Sequence, residues 1–316
     1  MTVERRELKL DLQAVTPLLL AGADNQMPEI RAPALRGVMR YWWRATLGGV
    51  IGDSNLEGLR KLETMVFGSP DRGSPIAIRL RPLPPANQSK PREESALILP
   101  HKGTSSKPRQ AIAGGERMSL VMQQWRLADD AVWQAACAAL NLALTFGGVG
   151  LRARRGYGTL RVTESSNTNL VPVAPVRYAD WGPHLKSITV QAIESARALA
   201  HTHQVTITGL PAGPASFPCA TRQGLVSLHD LRASSAFEAV RSFMAKAQNR
   251  AAFGGIIPQR QASPLWVRPI QTNAAEFGLL FSVMASRFRG QNYQEIRDFL
   301  NLNFPGDSFD VEGWNK

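Results

Sequence analysis

Residues 147–160 read GGVGLRARRGYGTL, five glycines and three arginines in one short segment. Glycine at this density ends a helix and makes a poor strand interior, because each one costs about 1 kcal/mol against alanine in a regular element. The segment is therefore a loop. What precedes it is the opposite: residues 131–151 contain no charged side chain. Gly147 and Gly148 stop that apolar helix after about four turns, short of the ~20 residues that cross a bilayer. The chain must bury this helix in its own core, turn through the glycines and resume as a strand over residues 158–164.

The loop has a bland reading, a helix C-cap at Gly147 and Gly148 and a tight turn. Two glycines would suffice for that. Gly150, Gly156 and Gly158 add positive-φ freedom and close approach. Arg152, Arg154 and Arg155 add planar, permanently charged forks suited to phosphate and to base stacking. We read Gly148, Gly150, Arg152, Arg154, Arg155, Gly156, Tyr157 and Gly158 as RNA-binding. The run Arg155-Gly156-Tyr157-Gly158 fits the first half of the RNP signature of RRM domains; Thr159, Leu160, Arg161 and Val162 do not fit the second half. No Lys-Ser or Lys-Thr follows, which excludes a P-loop, and Ala153 breaks the dinucleotide-binding spacing.

Charge points the same way. The chain of 316 residues carries a formal +12, and 29 of its 37 basic residues are arginine. An arginine bias favours phosphate recognition over mere solubility. The first 160 residues hold 22 basic and 14 acidic residues, the remainder 15 and 11. Cys137 and Cys219 are the only cysteines and have no metal-ligand spacing. We expect no cofactor, no metal, no membrane contact and a cytoplasmic location.

Residues 7–15 alternate as a half-buried strand with Leu8, Leu10 and Leu12 on one face. Pro33 opens a helix over 33–47. Arg36, Arg40 and Arg44 fall on one face of it with Trp43, and Leu35, Val38, Met39, Trp42 and Thr46 on the other. A tryptophan inside an arginine stripe suits base stacking, so Arg36, Arg40, Trp43 and Arg44 join the RNA-binding set. A short helix follows over 54–67, then a strand over 74–83. Residues 82–115 read as an inserted loop carrying His101 and Lys102. A strand over 116–125 leads into the apolar helix. The first half thus reads as a ferredoxin-like α/β sandwich, the layout of RRM domains. The second half has helices over 184–199, 233–249 and 293–302 and strands over 204–208, 263–270 and 276–284. A degenerate second copy would fit it.

Three segments carry a family resemblance: TPLLLAGAD followed by RAPALRGVMRYWWRA, then GGVGLRARRGYGTL, then RQASPLWVRPI (260–270). Together they resemble a RAMP-superfamily subunit of type III-B CRISPR effector complexes, the member numbered first. The resemblance implies an α+β chain of two ferredoxin-like (RRM-like) RAMP domains in tandem, at 1–164 and 170–316. It implies a non-catalytic RNA-binding subunit that holds the 3′ part of the CRISPR RNA and its paired target RNA, beside other RAMP subunits. By position, the helix residues and the loop arginines would line the RNA groove, with Lys102 contributing from the insertion.

The competing reading is a metal-independent endoribonuclease processing CRISPR RNA, for which His101 beside Lys102 is the best general acid–base candidate, ahead of His201 and His203. A metal-dependent nuclease would need a carboxylate cluster. Asp129-Asp130, adjacent on a helix start, point in different directions and read as helix-start charges.

Overall fold

In a computed structural model, the described residues are 6–21, 27–83, 92–94, 109–208, 215–220, 224–247, 253, 262–284 and 293–309. The first half folds as β1 (Glu7–Ala14), α1 (Ala32–Ile51), α2 (Leu56–Phe67), β2 (Ile76–Pro82), a short pair β3 (Arg92–Glu94) and β4 (Arg109–Ala111), β5 (Arg117–Gln124), α3 (Asp130–Phe146) and β6 (Leu160–Ser165). The main sheet is antiparallel in the order β2-β5-β1-β6. With β3 and β4 set aside, that is the 4-1-3-2 order of a ferredoxin-like sandwich. Alternation in β1 puts Leu8, Leu10 and Leu12 under the helices, with Leu10 opposite Leu120 of β5. The Asp129 side chain caps α3 by accepting from the Val132 amide.

The second half begins with the long α4 (Tyr178–Thr202). It continues with β7 (Leu225–Ala233), α5 (Ala236–Lys246), β8 (Leu265–Asn273), β9 (Glu276–Val283), α6 (Tyr293–Asn303) and β10 (Asp307–Phe309). Its sheet runs β10-β7-β9-β8, again 4-1-3-2 and antiparallel. The expected pairing of the last two long strands is present, Leu265 opposite Val283. The strand expected over 204–208 is not. Val205 packs on the core and Thr208 makes a single backbone bond to Ile51.

Residues of α4, Leu185, Ala192 and Leu199 among them, join the core built on β1, α1 and α3. Trp266 and Ile270 of β8 belong to that same core, whereas Leu265 and Val267 belong to a second core with Phe243, Phe281 and Phe299. The strand β8 is thus buried on both faces, which is why it reads as an apolar run rather than an alternation. The helix α1 extends past the expected end at residue 47. Gly48 and Gly49 are helical because residues 217–220 cross them: a Cβ on Gly49 would lie 2.2 Å from the Ala220 carbonyl oxygen. The Ala220 amide donates to the Ala45 carbonyl at 2.9 Å. No helix among the described residues is long and apolar enough to cross a membrane.

Candidate nucleic-acid interface

The glycine-arginine loop is closed on itself and on the segment after β1. The Val149 amide donates to the Gly158 carbonyl (2.9 Å), the Gly158 amide to Pro17 (3.0 Å) and the Leu151 amide to Leu19 (2.9 Å). Thr16 Oγ1 donates to the Gly156 carbonyl at 2.6 Å and accepts from the Thr159 amide. The Thr-Pro pair that ends β1 therefore braces the loop from beneath. Gly150, Gly156 and Gly158 all have positive φ. At Gly158 a Cβ would stand 1.9 Å from the Val149 carbonyl oxygen, so no other residue fits that turn. Gly148 lies against the Tyr157 carbonyl, within the same closure.

Two of the three arginines do not face outward. The Arg154 Nη1 donates to the Ser263 carbonyl, and its guanidinium lies 5.3 Å from the Tyr41 ring centre and 5.1 Å from that of Trp266. Arg155 Nη2 donates to the Phe253 carbonyl at 2.5 Å, and burial lowers its pKa. The Arg155 backbone bridges Val267 of β8. Tyr157 is 2% exposed and belongs to the second core. Arg154, Arg155 and Tyr157, all expected in the RNA-binding set, lie at the seam between the two halves, where their side chains are engaged within the fold. Buried carbonyls need donors, and guanidiniums supply several at once. The outward part of the loop is its tip, where Gly150 and Leu151 are exposed and half-buried Arg152, at φ 60, lies over the Tyr157 ring.

The arginine stripe of α1 is present and engaged within the fold. Arg36 donates to Ser74 Oγ at 3.1 Å and to the Ile76 carbonyl; burial, then the nearby Arg40 charge, lowers its pKa. Arg40 donates to the Gly68 carbonyl at 2.8 Å and pairs with Glu63. Arg44 makes a two-pronged bond with Glu63, which raises its pKa. The stripe fastens α1 to α2 and the turn after it. Trp43, expected beside it as a stacking platform, is 0% exposed. The reason is that α1 is covered on this side as well, by α2, a neighbour that helical periodicity does not reveal. Lys102 and His101 lie outside the described residues.

One residue of the seam escaped sequence reasoning. Arg268, 3% exposed, points from β8 into the first half. It donates to the Gly147 carbonyl at 2.7 Å and to the Leu160 carbonyl. Burial pushes its pKa down to about 9. Its signal was a lone charge in the apolar run LWVRPI. Among the other histidines, burial lowers His184 and His229 to about 4, His203 lies 3.1 Å from Asp129, and His201 is exposed. Among the described residues no group of three or more potential ligands could hold a metal ion.

The sequence pattern of the RAMP superfamily matches residues 11–161. The CRISPR system Cmr subunit Cmr1-2 of Pyrococcus furiosus is 30% identical over 181 residues, which cover 49% of this chain and 95% of that protein. Subunit Cmr1-1 of the same organism is 27% identical over 170 residues, 50% of this chain and 48% of that one. The fold is similar to the crystal structure of apo Cmr1 from P. furiosus, at a TM-score of 0.67 and 19% identity over 96% of this chain and 98% of that one. It is also similar to a chain of the type III-B Cmr-beta complex bound to cognate target RNA, at a TM-score of 0.61 and 12% identity over 94% and 98%.

Proposed function

The chain belongs to the RAMP superfamily, among the Cmr1 subunits, and we propose on that premise that it is an RNA-binding, non-catalytic subunit of a type III-B CRISPR effector ribonucleoprotein. It holds the 3′ part of the CRISPR RNA with its paired target RNA, contacts other RAMP subunits and works in the cytoplasm. Its two domains are those expected at 1–164 and 170–316, each with one four-stranded sheet.

The observation that carries this reading is the loop tip. Gly150 and Leu151 stand exposed, with half-buried Arg152 beside them, on a base fixed to both halves of the chain. Arg152 offers phosphate a guanidinium on a pre-set backbone, and a pre-set contact loses little entropy on binding. Lys102, Arg36, Arg40 and Arg44 belong to the same RNA-binding set on the ground of their charge. Arg154, Arg155, Trp43 and Tyr157 support that surface from within. The net charge of +12 supplies the sequence-independent attraction.

The test is reconstitution of the effector complex with a photoactivatable guide RNA. We expect crosslinks from the 3′ part of the guide to this chain, and intact RNA when the chain alone is incubated with guide or target, with or without Mg²⁺. Cleavage at one position, lost on His101→Ala, would instead make it a metal-independent endoribonuclease.

A further inference from the structure

Five of the six described tryptophans, Trp42, Trp43, Trp133, Trp181 and Trp266, are 6% exposed or less; Trp125 is 47% exposed. It follows the last residue of β5, at the end of the first sheet away from the glycine-arginine loop. Its indole does not hang loose. Nε1 donates to the Ser74 carbonyl at 2.9 Å, which fixes the ring edge. The Arg126 guanidinium lies 4.4 Å from the ring centre. Glycine at position 73 leaves room for that guanidinium, since a Cβ there would come within 2.7 Å of Arg126 Nη1. Arg72, exposed two residues before Ser74, donates to Met65 Sδ at 3.2 Å, and Arg36 donates to the Ser74 hydroxyl. One guanidinium, that of Arg126, thus lies over an exposed, anchored indole, with Arg72 and Asp71 exposed in the turn before Ser74.

This is the combination that single-stranded nucleic acid uses: an aromatic face for the base and fixed positive charge for the phosphates. We propose that Trp125, with Arg126, is a base-stacking contact for single-stranded RNA. The proposal rests on the RNA-binding reading above and extends it to the far end of the first sheet, so that a bound strand runs the length of β1 from the loop tip to Trp125. A protein partner, which would value the neighbouring Leu127 (80% exposed) as much as the indole, is the alternative outcome.

The experiment titrates the full chain with an oligouridylate and follows both tryptophan emission and affinity. A parallel titration uses an abasic oligomer of equal length and charge. The expected result is quenching by oligouridylate and much less by the abasic oligomer, absent in Trp125→Phe, which keeps most of the affinity. Trp125→Ala should weaken oligouridylate binding by about fivefold to a hundredfold, the range for one lost stack. Equal quenching by the abasic oligomer would overturn the proposal. So would unchanged affinity in a Trp125→Ala variant that melts like wild type, or a Trp125→Ala chain that binds RNA normally but fails to join the reconstituted complex. The last result would identify a protein-docking surface. If wild type bound no RNA by either readout, the functional reading itself would fall, a result distinguishable from the loss of this contact alone.

Discussion

The Arg268 guanidinium on β8 donates 2.7 Å to the carbonyl of Gly147, the residue that ends α3, and with its other arm to the carbonyl of Leu160, where β6 begins. One buried side chain from the second half therefore holds both ends of the glycine-arginine loop. It also places a positive charge at the negative end of the most buried helix in the chain.

Replacing Arg268 with methionine keeps the volume and leaves two buried carbonyls without a donor. An unsatisfied buried acceptor costs about 1–3 kcal/mol, so Arg268→Met should lose about 2–5 kcal/mol of unfolding free energy by urea denaturation. Arg268→Lys can reach only one carbonyl well and should fall between the two. A methionine variant as stable as wild type would show that the loop is held by its own bonds to Pro17 and Leu19.

Gly49 tests a different balance. In an exposed helix interior, alanine would gain about 1 kcal/mol over glycine. Here its Cβ would lie 2.2 Å from the Ala220 carbonyl oxygen, where backbone has to move. Gly49→Ala should therefore lower the melting midpoint, whereas Gly37→Ala in the same helix, with no neighbour within 4 Å of its Cβ position, should raise it slightly. The reverse order would mean that residues 217–220 can lift off α1 freely.

Acid should destabilise the fold through two histidines. Burial, and for His184 then the Arg268 charge, lowers both His184 and His229 to about 4. Their unfolded values lie near 6.5. The folded state thus keeps them neutral while the unfolded chain takes up protons, so stability rises with pH through this window. It is fully present above about pH 6.5 and lost as pH falls toward 4. Denaturant midpoints at pH 7 and pH 5 should show the loss in wild type and a smaller one in a His184→Gln/His229→Gln double variant. Equal slopes for the two proteins would place the acid response elsewhere.

The elements with one dominant period or an unambiguous stop were legible in the sequence: β1, α2, β5, α3 and the pairing of β8 with β9. The positive-φ glycines of the loop were legible for the same reason, since local geometry alone demands them. What a single sequence could not show was the number of faces an element buries. The face of α1 with Arg36, Arg40, Arg44 and Trp43 looked outward because charge there suggested solvent; α2 and its Glu63 engage the arginines, and Trp43 is buried in the first core. The strand β7 was missed because its buried run, Val226 to His229, lacks alternation and a register shift separates it from Ala233. The loop arginines were found as a group, but their division into seam and surface depends on where Ser263 and Phe253 lie, over a hundred or nearly a hundred residues away in the chain.

That division is the central claim, and RNA affinity measured against salt for Arg152→Ala and Arg155→Ala tests it most directly, with melting midpoints taken on the same samples. Arg152→Ala should weaken binding and reduce the salt slope by about 0.7 for one lost contact with a single strand, measured below its melting midpoint. Arg155→Ala should melt lower because the Phe253 carbonyl loses its donor, yet bind RNA with an unchanged salt slope below its midpoint. Wild-type binding and an undiminished salt slope in Arg152→Ala would contradict the account.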